Sequence, residues 1–487
     1  MTTRLLRGCV LAAMIVLTLA TSQVPAHAAG DDPSPSKIVA GDLKGSWLGT
    51  INVGPIKLRL GFVIQAAKGE TIAAKLFSID QGNSAIDVDA VEVQDDQVSL
   101  IVKPIGGSFA GTWNPETKEI AGEWKQGGQA FPLTLARVDV LPGALRPQDP
   151  QEPYPYLEEE VSFTNRKHDV TLNGTLTRPK GEGPFAAVVL ISGSGPQDRD
   201  ESLLGHRPFL VLADALTRRG IAVLRFDDRD FDQPSAAFEA TSEELSQDVL
   251  AGVELLRARP EIDAARIGLL GHSEGGLIAP MLAAKERGIA FIVMIAGPGL
   301  PGDQILQMQA ERLLRHGGVD DDTLQQELAR SRRTHEILQT EPDNEAALTK
   351  IAELFQDSIA DADEEERAAA EAMFDRQAKL LITPWFRYLI AYDPRHALTQ
   401  VACPVLAVIG EKDSQVPPRE NLPIIKAALE EGGNQDFVVR ELAGLNHLLQ
   451  PCESGMVDEY ATIETTIDPD ALDLIGDWIV SHAGAAP

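Results

Sequence analysis

The chain has 487 residues, 44% of them hydrophobic, and its 73 acidic against 43 basic side chains give a formal net charge of −30. That length exceeds one ordinary domain and can bury a substantial core, so two or more domains are expected. So negative a surface repels phosphate backbones and anionic lipid, which argues against nucleic-acid binding and peripheral membrane attachment and leaves solvation of a large protein as the role of the charge.

The first residues read as a secretory signal. Arg4 and Arg7 form a positive stretch, Val10 to Ala20 an apolar one, and Ala26-His27-Ala28 an A-x-A cleavage site. An apolar run of about 11 residues falls short of the ~20 needed to span a bilayer. Cys9 precedes that run, whereas a lipidation cysteine would follow it. The expectation is therefore an exported bacterial protein, periplasmic or extracellular, without a membrane anchor after cleavage of residues 1–28. Cleavage removes two arginines and no acid, taking the charge to −32. Two cysteines then remain, Cys403 and Cys452. Their predicted positions at opposite edges of a sheet, roughly 20 Å apart at ~3.3 Å per residue, disfavour a disulfide, which needs alpha carbons within ~7 Å.

Residues 41–138 carry short alternating runs separated by Gly, Asn and Asp, namely 56–64, 71–79, 98–102, 109–113 and 119–124, the pattern of an antiparallel β module. Trp47, Trp113 and Trp124 fall here and are expected to fill a small barrel-like core rather than line a ligand cavity. Residues 139–158 form a stiff linker, with prolines at 142, 147, 150, 153 and 155.

From 159 to 484 the pattern changes. A hairpin (161–165 and 171–178) precedes alternating strands and helices: strand 186–191, helix 209–219, strand 221–226, helix 242–258, strand 267–270, helix 275–287 and strand 291–295. The strands are almost wholly apolar, as parallel strands covered on both faces must be. Residues from about 302 to 395 then read as helical and charged without strand signal, too long for a loop and therefore a helical insertion over one end of the sheet. The acidic run 361–366 is read as a solvated helix face. Strand 405–409, helix 421–430, strand 437–442 and helix 469–481 complete the α/β series.

Within this series stands Gly271-His272-Ser273-Glu274-Gly275-Gly276. Alone, G-x-S-x-G is a weak signal. Between a predicted strand and a predicted helix it becomes a strand–elbow–helix that presents a nucleophilic serine on a sharp turn. Residues two before and two after the serine must be small there, and Gly271 and Gly275 are. A serine needs a base and the base an orienting carboxylate, following in the order Ser, Asp, His. Of nine histidines, His447 alone follows a predicted sheet strand by a short loop; His272 neighbours the serine but projects differently. Asp413 follows strand 405–409 in Gly-Glu-Lys-Asp, with Glu411 as its competitor. The backbone N–H groups of Glu274, at the helix start, and of Ser194, in the glycine-rich Ser192-Gly193-Ser194-Gly195-Pro196, are the candidate oxyanion donors.

Together with Gln197-Asp198-Arg199-Asp200-Glu201, Pro384-Trp385-Phe386-Arg387 and Leu445-Asn446-His447, these motifs resemble bacterial α/β-hydrolase esterases of the EstD type over about residues 159–484. The resemblance implies an α/β-hydrolase fold with a helical cap, preceded by a small antiparallel β domain. It also implies carboxylesterase activity on short acyl chains with Ser273, Asp413 and His447 as the triad. Asp227-Asp228-Arg229 is followed by Asp230-Phe231-Asp232 where such esterases usually have Gly and a small-residue turn, so the substrate range is expected to differ. The expected partner is a small-molecule ester; no cofactor is required and no cluster with metal-ligand spacing stands in the sequence. Arg387 would favour an anionic substrate if it faced the serine, and is otherwise a structural ion pair. A serine aminopeptidase or amidase on the same triad, an exported acyltransferase, and a non-catalytic cell-envelope ligand-binding protein are the rival readings.

Overall fold

The computed structural model describes residues 43–53, 56–66, 72–79, 85–138, 141, 146–229, 231, 238–359 and 363–484. The expected export signal lies outside them. The described residues fall into two compact units, 43–146 with 203–206, and 147–202 with 207–484.

The first unit is all β: β1 (Gly45–Val53), β2 (Ile56–Ala66), β3 (Ile72–Ser78), β4 (Ala85–Val88), β5 (Ala90–Gln94), β6 (Gln97–Val102), β7 (Gly107–Asn114), β8 (Glu119–Gln126) and β9 (Gln129–Val138). They pair antiparallel in the order β4-β3-β2-β1-β9-β8-β7-β6-β5. The two ends of that order, β4 and β5, are joined through Asp89 alone, so the sheet has to curl until its edges adjoin. Asp89 fixes this corner: its N–H donates to the Ile101 carbonyl (2.7 Å) and its carboxylate accepts from the Lys103 N–H (2.7 Å). Trp47, Phe62, Leu76, Phe109 and Trp124 fill the interior. Trp113, half-buried, meets Trp47 edge-on at 5.9 Å. The tryptophans are therefore core. Periodicity reveals five of these nine strands. Gly45 and Gly49 disguise β1, and Pro132 disguises β9; β4 and β5 are only four and five residues long. Gly49 is required because a Cβ there would lie 2.5 Å from the Leu133 side chain and the Thr134 carbonyl.

The second unit has β10 (Leu157–Asn165), β11 (Val170–Arg178), β12 (Phe185–Ile191), α1 (Pro208–Arg218), β13 (Ala222–Phe226), α2 (Ser242–Arg257), β14 (Ile262–His272), α3 (Glu274–Lys285) and β15 (Ile292–Ile295). A helical insertion of α4 (Gly302–His316), α5 (Asp321–Thr340), α6 (Asn344–Ser358), α7 (Glu364–Leu381) and α8 (Pro384–Ala391) follows. The chain closes with α9 (Arg395–Leu398), β16 (Val405–Gly410), α10 (Pro418–Glu431), β17 (Phe437–Leu442) and α11 (Pro469–His482). The sheet order is β10-β11-β13-β12-β14-β15-β16-β17, parallel from β13 onward and antiparallel at the β10–β11 edge. Its central strands are apolar throughout because successive side chains enter different cores. Val189, Leu224, Leu269 and Met294 pack toward α2, α3 and α10, while Val188, Val223, Leu270 and Val293 pack toward α1 and α11.

The parallel register gathers the strand ends. Ile191 lies opposite Gly271, His272 opposite Ile295, Ile295 opposite Val408, and Gly410 opposite Leu442. The loops after β12, β14, β15, β16 and β17 therefore leave from one edge.

The insertion is a helical cap with its own core of Leu306, Ile337, Leu338, Ile351, Trp385 and Phe386. Asp320, Asp343 and Thr383 cap α5, α6 and α8, each side chain accepting a first-turn N–H. Arg312 of α4 seats the cap on the sheet edge by donating to the Asp413 carbonyl at 2.7 Å. Among the described residues Arg387 is in no ion pair, and its guanidinium is turned to backbone carbonyls of the cap. It closes the end of α5, donating Nη1 to the Leu338 and Glu341 carbonyls (2.5 and 2.9 Å) and Nε to Asn344 Oδ1 (2.9 Å). Cys403 and Cys452 are free thiols. Among the described residues no helix is long and apolar enough to cross a membrane.

Candidate active site

Ser273 stands between β14 and α3 with φ 53° and ψ −115°, a left-handed conformation that a residue with a side chain adopts only under constraint. The constraint is visible. Its N–H is held by the Ile295 carbonyl at 2.9 Å, and glycines let the chain close around it. A Cβ on Gly271 would sit 2.0 Å from the Gly275 carbonyl oxygen, and one on Gly275 2.1 Å from that of Ile191. The turn thrusts the serine side chain off the sheet edge at the start of α3, whose N-terminal dipole favours negative charge there.

Asp413 and His447 come from the loops after β16 and β17. Their side chains meet, His447 Nδ1 to Asp413 Oδ2 at 2.8 Å, and both are buried. Asp413 Oδ1 accepts the Gln415 and Val416 N–H groups, each at 2.8 Å, so the carboxylate is fixed in rotation. His447 is presented by a turn built on Asn446, whose Oδ1 accepts the N–H groups of Leu448 (3.0 Å) and Gln450 (2.9 Å). Glu411 braces the same region by accepting the Gly444 N–H at 2.9 Å, which leaves Asp413 as the carboxylate on the imidazole. Ser273 is tied to this pair through its neighbour: the rings of His272 and His447 are 4.7 Å apart. The direct link from Ser273 Oγ to His447 is not made among the described residues.

The loop 192–201 closes the other side, and a Cβ on Gly193 would come within 3.3 Å of the Ser273 Cβ. The Gly193 N–H is taken by Glu201 at 2.7 Å, so it is not an oxyanion donor. The Ser194 and Glu274 N–H groups have no hydrogen-bond acceptor among the described residues.

Sequence reasoning passed over the groups that hold this loop. Asp228 accepts from Ser192 Oγ (2.7 Å) and the Gln197 N–H (3.0 Å). Arg199 lies bidentate on Asp227, Nε at 3.1 Å and Nη2 at 2.6 Å, and Asp200 pairs with the buried Arg225 of β13. The Asp227-Asp228 turn is thus the clamp for 192–201. Burial, reinforced by Glu201 and Glu274, pushes the Asp228 carboxyl well above the usual carboxylate range despite its donors. Phe231 is exposed, and its neighbours Asp230 and Asp232, where the sequence departs from the EstD-type pattern, lie outside the described residues.

Glu274 is buried too. Its carboxyl accepts from Ser242 Oγ (2.6 Å) and from Trp385 Nε1, 3.0 Å to each oxygen, and burial raises its pKa against these donors and Ser194. The cap is thereby hydrogen-bonded to the residue next to the candidate nucleophile. Trp385→Phe keeps the ring that packs on Phe238 at 5.0 Å but removes the N–H. Equilibrium denaturation should show a loss of about 1–3 kcal/mol for the buried carboxyl left short of a donor.

The alpha/beta hydrolase family profile matches residues 188–459. Esterase EstD of Thermotoga maritima is 28% identical over 329 residues, 67% of this chain and 69% of that protein. Human mitochondrial acyl-coenzyme A thioesterase 2 is 27% identical over 208 residues, 40% of this chain and 39% of its own. Among solved structures, 2,6-dihydroxy-pseudo-oxynicotine hydrolase matches with a TM-score of 0.40 and 18% identity, covering 67% of this chain and 68% of that one. With the profile spanning more than half of the sequence, from β12 past His447, the chain belongs to the alpha/beta hydrolase family.

Proposed function

We propose that this protein is an exported serine hydrolase that cleaves carboxylic esters of short acyl chains through an acyl-enzyme. The observation that carries the reading is the buried 2.8 Å bond between His447 Nδ1 and Asp413 Oδ2 at the sheet edge where Ser273 occupies its constrained turn. A carboxylate accepting from Nδ1 fixes the tautomer with Nε2 free to take a proton. His447 then removes the Ser273 proton as Oγ attacks the ester carbonyl. The N–H groups of Ser194 and Glu274 receive the oxyanion, and the imidazolium returns its proton to the departing alcohol. Water, deprotonated by the same imidazole, releases the acid. The likeness to esterase EstD supports an ester as the substrate.

A fluorophosphonate probe should label wild type on Ser273 and leave Ser273→Ala and His447→Ala unlabelled; a folded wild type that takes no label ends the proposal and favours a ligand-binding role. Turnover of p-nitrophenyl acetate should exceed that of an aminoacyl anilide, the reverse ratio indicating a peptidase or amidase, and acyl transfer to an added alcohol in preference to water would indicate an acyltransferase. Thioesters are the second reading, favoured by the matches to acyl-coenzyme A thioesterases. A net charge of −30 opposes it, because coenzyme A brings several phosphate charges to the site.

A further inference from the structure

His272, the neighbour of the candidate nucleophile, is hydrogen-bonded at both ring nitrogens. Its Nδ1 lies 2.9 Å from Glu201 Oε1, and its Nε2 lies 3.1 Å from the backbone carbonyl of His447. The same Glu201 oxygen accepts the Gly193 N–H at 2.7 Å. Glu201 itself has a left-handed φ of 52°, and both side chains are buried.

These contacts fix the proton count. A carbonyl oxygen cannot donate, so Nε2 carries a hydrogen. Two bare acceptors 2.9 Å apart would repel, so Nδ1 and Oε1 share one further proton. The pair is then neutral as a whole, the state its burial favours; removing the shared proton leaves an uncompensated negative charge in the interior and abolishes one of the three bonds. Burial alone would lower the His272 pKa, but Glu201, the His447 carbonyl and the more distant Asp413 together raise it above the ordinary histidine value. The groups facing the pair are Glu201 with Asp228 beside it on the 192–201 side, and His447 with Asp413 on the other.

We propose that Glu201 and His272 form a second carboxylate–imidazole pair that positions the active site from both sides. Glu201 Oε1 sets the oxyanion loop through the Gly193 N–H, and His272 Nε2–H sets the backbone of the catalytic histidine. The inference rests on the reading of Ser273 and His447 as nucleophile and base. His272 is a positioning residue: it touches no reacting atom, and its protonated pairing with Glu201 is what keeps the two halves in register.

The test is the pH profile of kcat and KM for p-nitrophenyl acetate with wild type, His272→Gln and Glu201→Gln, each checked for folding by circular dichroism. Wild-type kcat should fall along an alkaline limb as the shared proton is lost, with KM little changed. His272→Gln keeps a donor for the His447 carbonyl but nothing that titrates. It should lose about 10- to 100-fold in kcat, the cost of a small misplacement of reacting groups, with KM within about twofold and the alkaline limb gone. Glu201→Gln, whose amide cannot both accept from Gly193 and donate to Nδ1 through one atom, should behave the same way. Variants with wild-type kcat overturn the proposal, and so do variants that lose kcat but keep the wild-type limb, which would make the pair merely structural. Failure of the nucleophile reading shows separately, as wild type that fluorophosphonate does not label.

Discussion

Ser273→Ala should lower kcat/KM for a short p-nitrophenyl ester by about a million-fold, and His447→Ala nearly as much, because in the proposed mechanism nucleophile and base act as one unit and either loss disables both. The double variant is for that reason no worse than either single one. Asp413→Asn should cost about ten-thousand-fold, and the hydrogen bonds at its carboxylate give the reason. Two backbone N–H groups at 2.8 Å hold Oδ1. The amide oxygen of the asparagine has to stay there to accept them, so its NH2 is turned toward His447 Nδ1. The imidazole can then only accept at Nδ1, which places its proton on Nε2 and removes the base. A steady-state assay with burst titration of active sites checks all three; a Ser273→Ala protein retaining more than about a hundredth of wild-type activity defeats the proposed mechanism.

How far the sequence discloses such a site depends on whether position follows from periodicity. Ser273, Asp413 and His447 could be named as candidates because each stands just past a predicted strand of a parallel series, apolar and buried before Ser273 and Asp413 and a half-exposed edge strand before His447, and parallel strands deliver their ends to one edge. The register of β14, β15, β16 and β17 realises that. The carboxyl groups of Glu201, Asp228 and Glu274 were not legible in the roles they take here, although the backbone N–H of Glu274 was a candidate oxyanion donor. They act on backbone amides of a loop, or on a cap side chain 111 residues away in the case of Glu274 and Trp385, and neither relation leaves a spacing in the sequence. The α/β layering was readable for the same reason as the candidate site residues, and the helical cap from its length without strand signal. The β unit was expected to be barrel-like, but four of its nine strands, β1, β4, β5 and β9, were not read, and it is β4 and β5, neighbours in the chain, that stand at opposite ends of the pairing order. Arg387 was misjudged as a ligand or ion-pair residue because a helix C-terminus asking for a cation looks, in sequence, like any loop.

His335 gives the cap a sensitivity to acid. It lies on α5 at 2% exposure with neither ring nitrogen hydrogen-bonded among the described residues, its ring 6.2 Å from that of Phe386. Burial, opposed only by the charge of Asp303, pulls its pKa down to about 4. An unfolded chain takes up this proton near pH 6.5, so between the two values the unfolded state binds more protons and stability rises with pH. The neutral imidazole's contribution is fully present above pH ~6.5 and is lost as the pH falls to about 4, a change of about 3 kcal/mol from this one group. His335→Leu, similar in bulk and free of the unpaired nitrogens, should remove that part of the acid loss. Urea unfolding at pH 4.5 and 7.5 reads it as a smaller difference between the two pH values in the variant than in wild type, whatever the carboxylates add to both. Because the cap core also contains Trp385, which is bonded to Glu274 beside Ser273, the same protonation should reversibly weaken activity in wild type and spare it in the variant. Parallel pH dependences in the two proteins would mean that His335 is solvated or paired in solution.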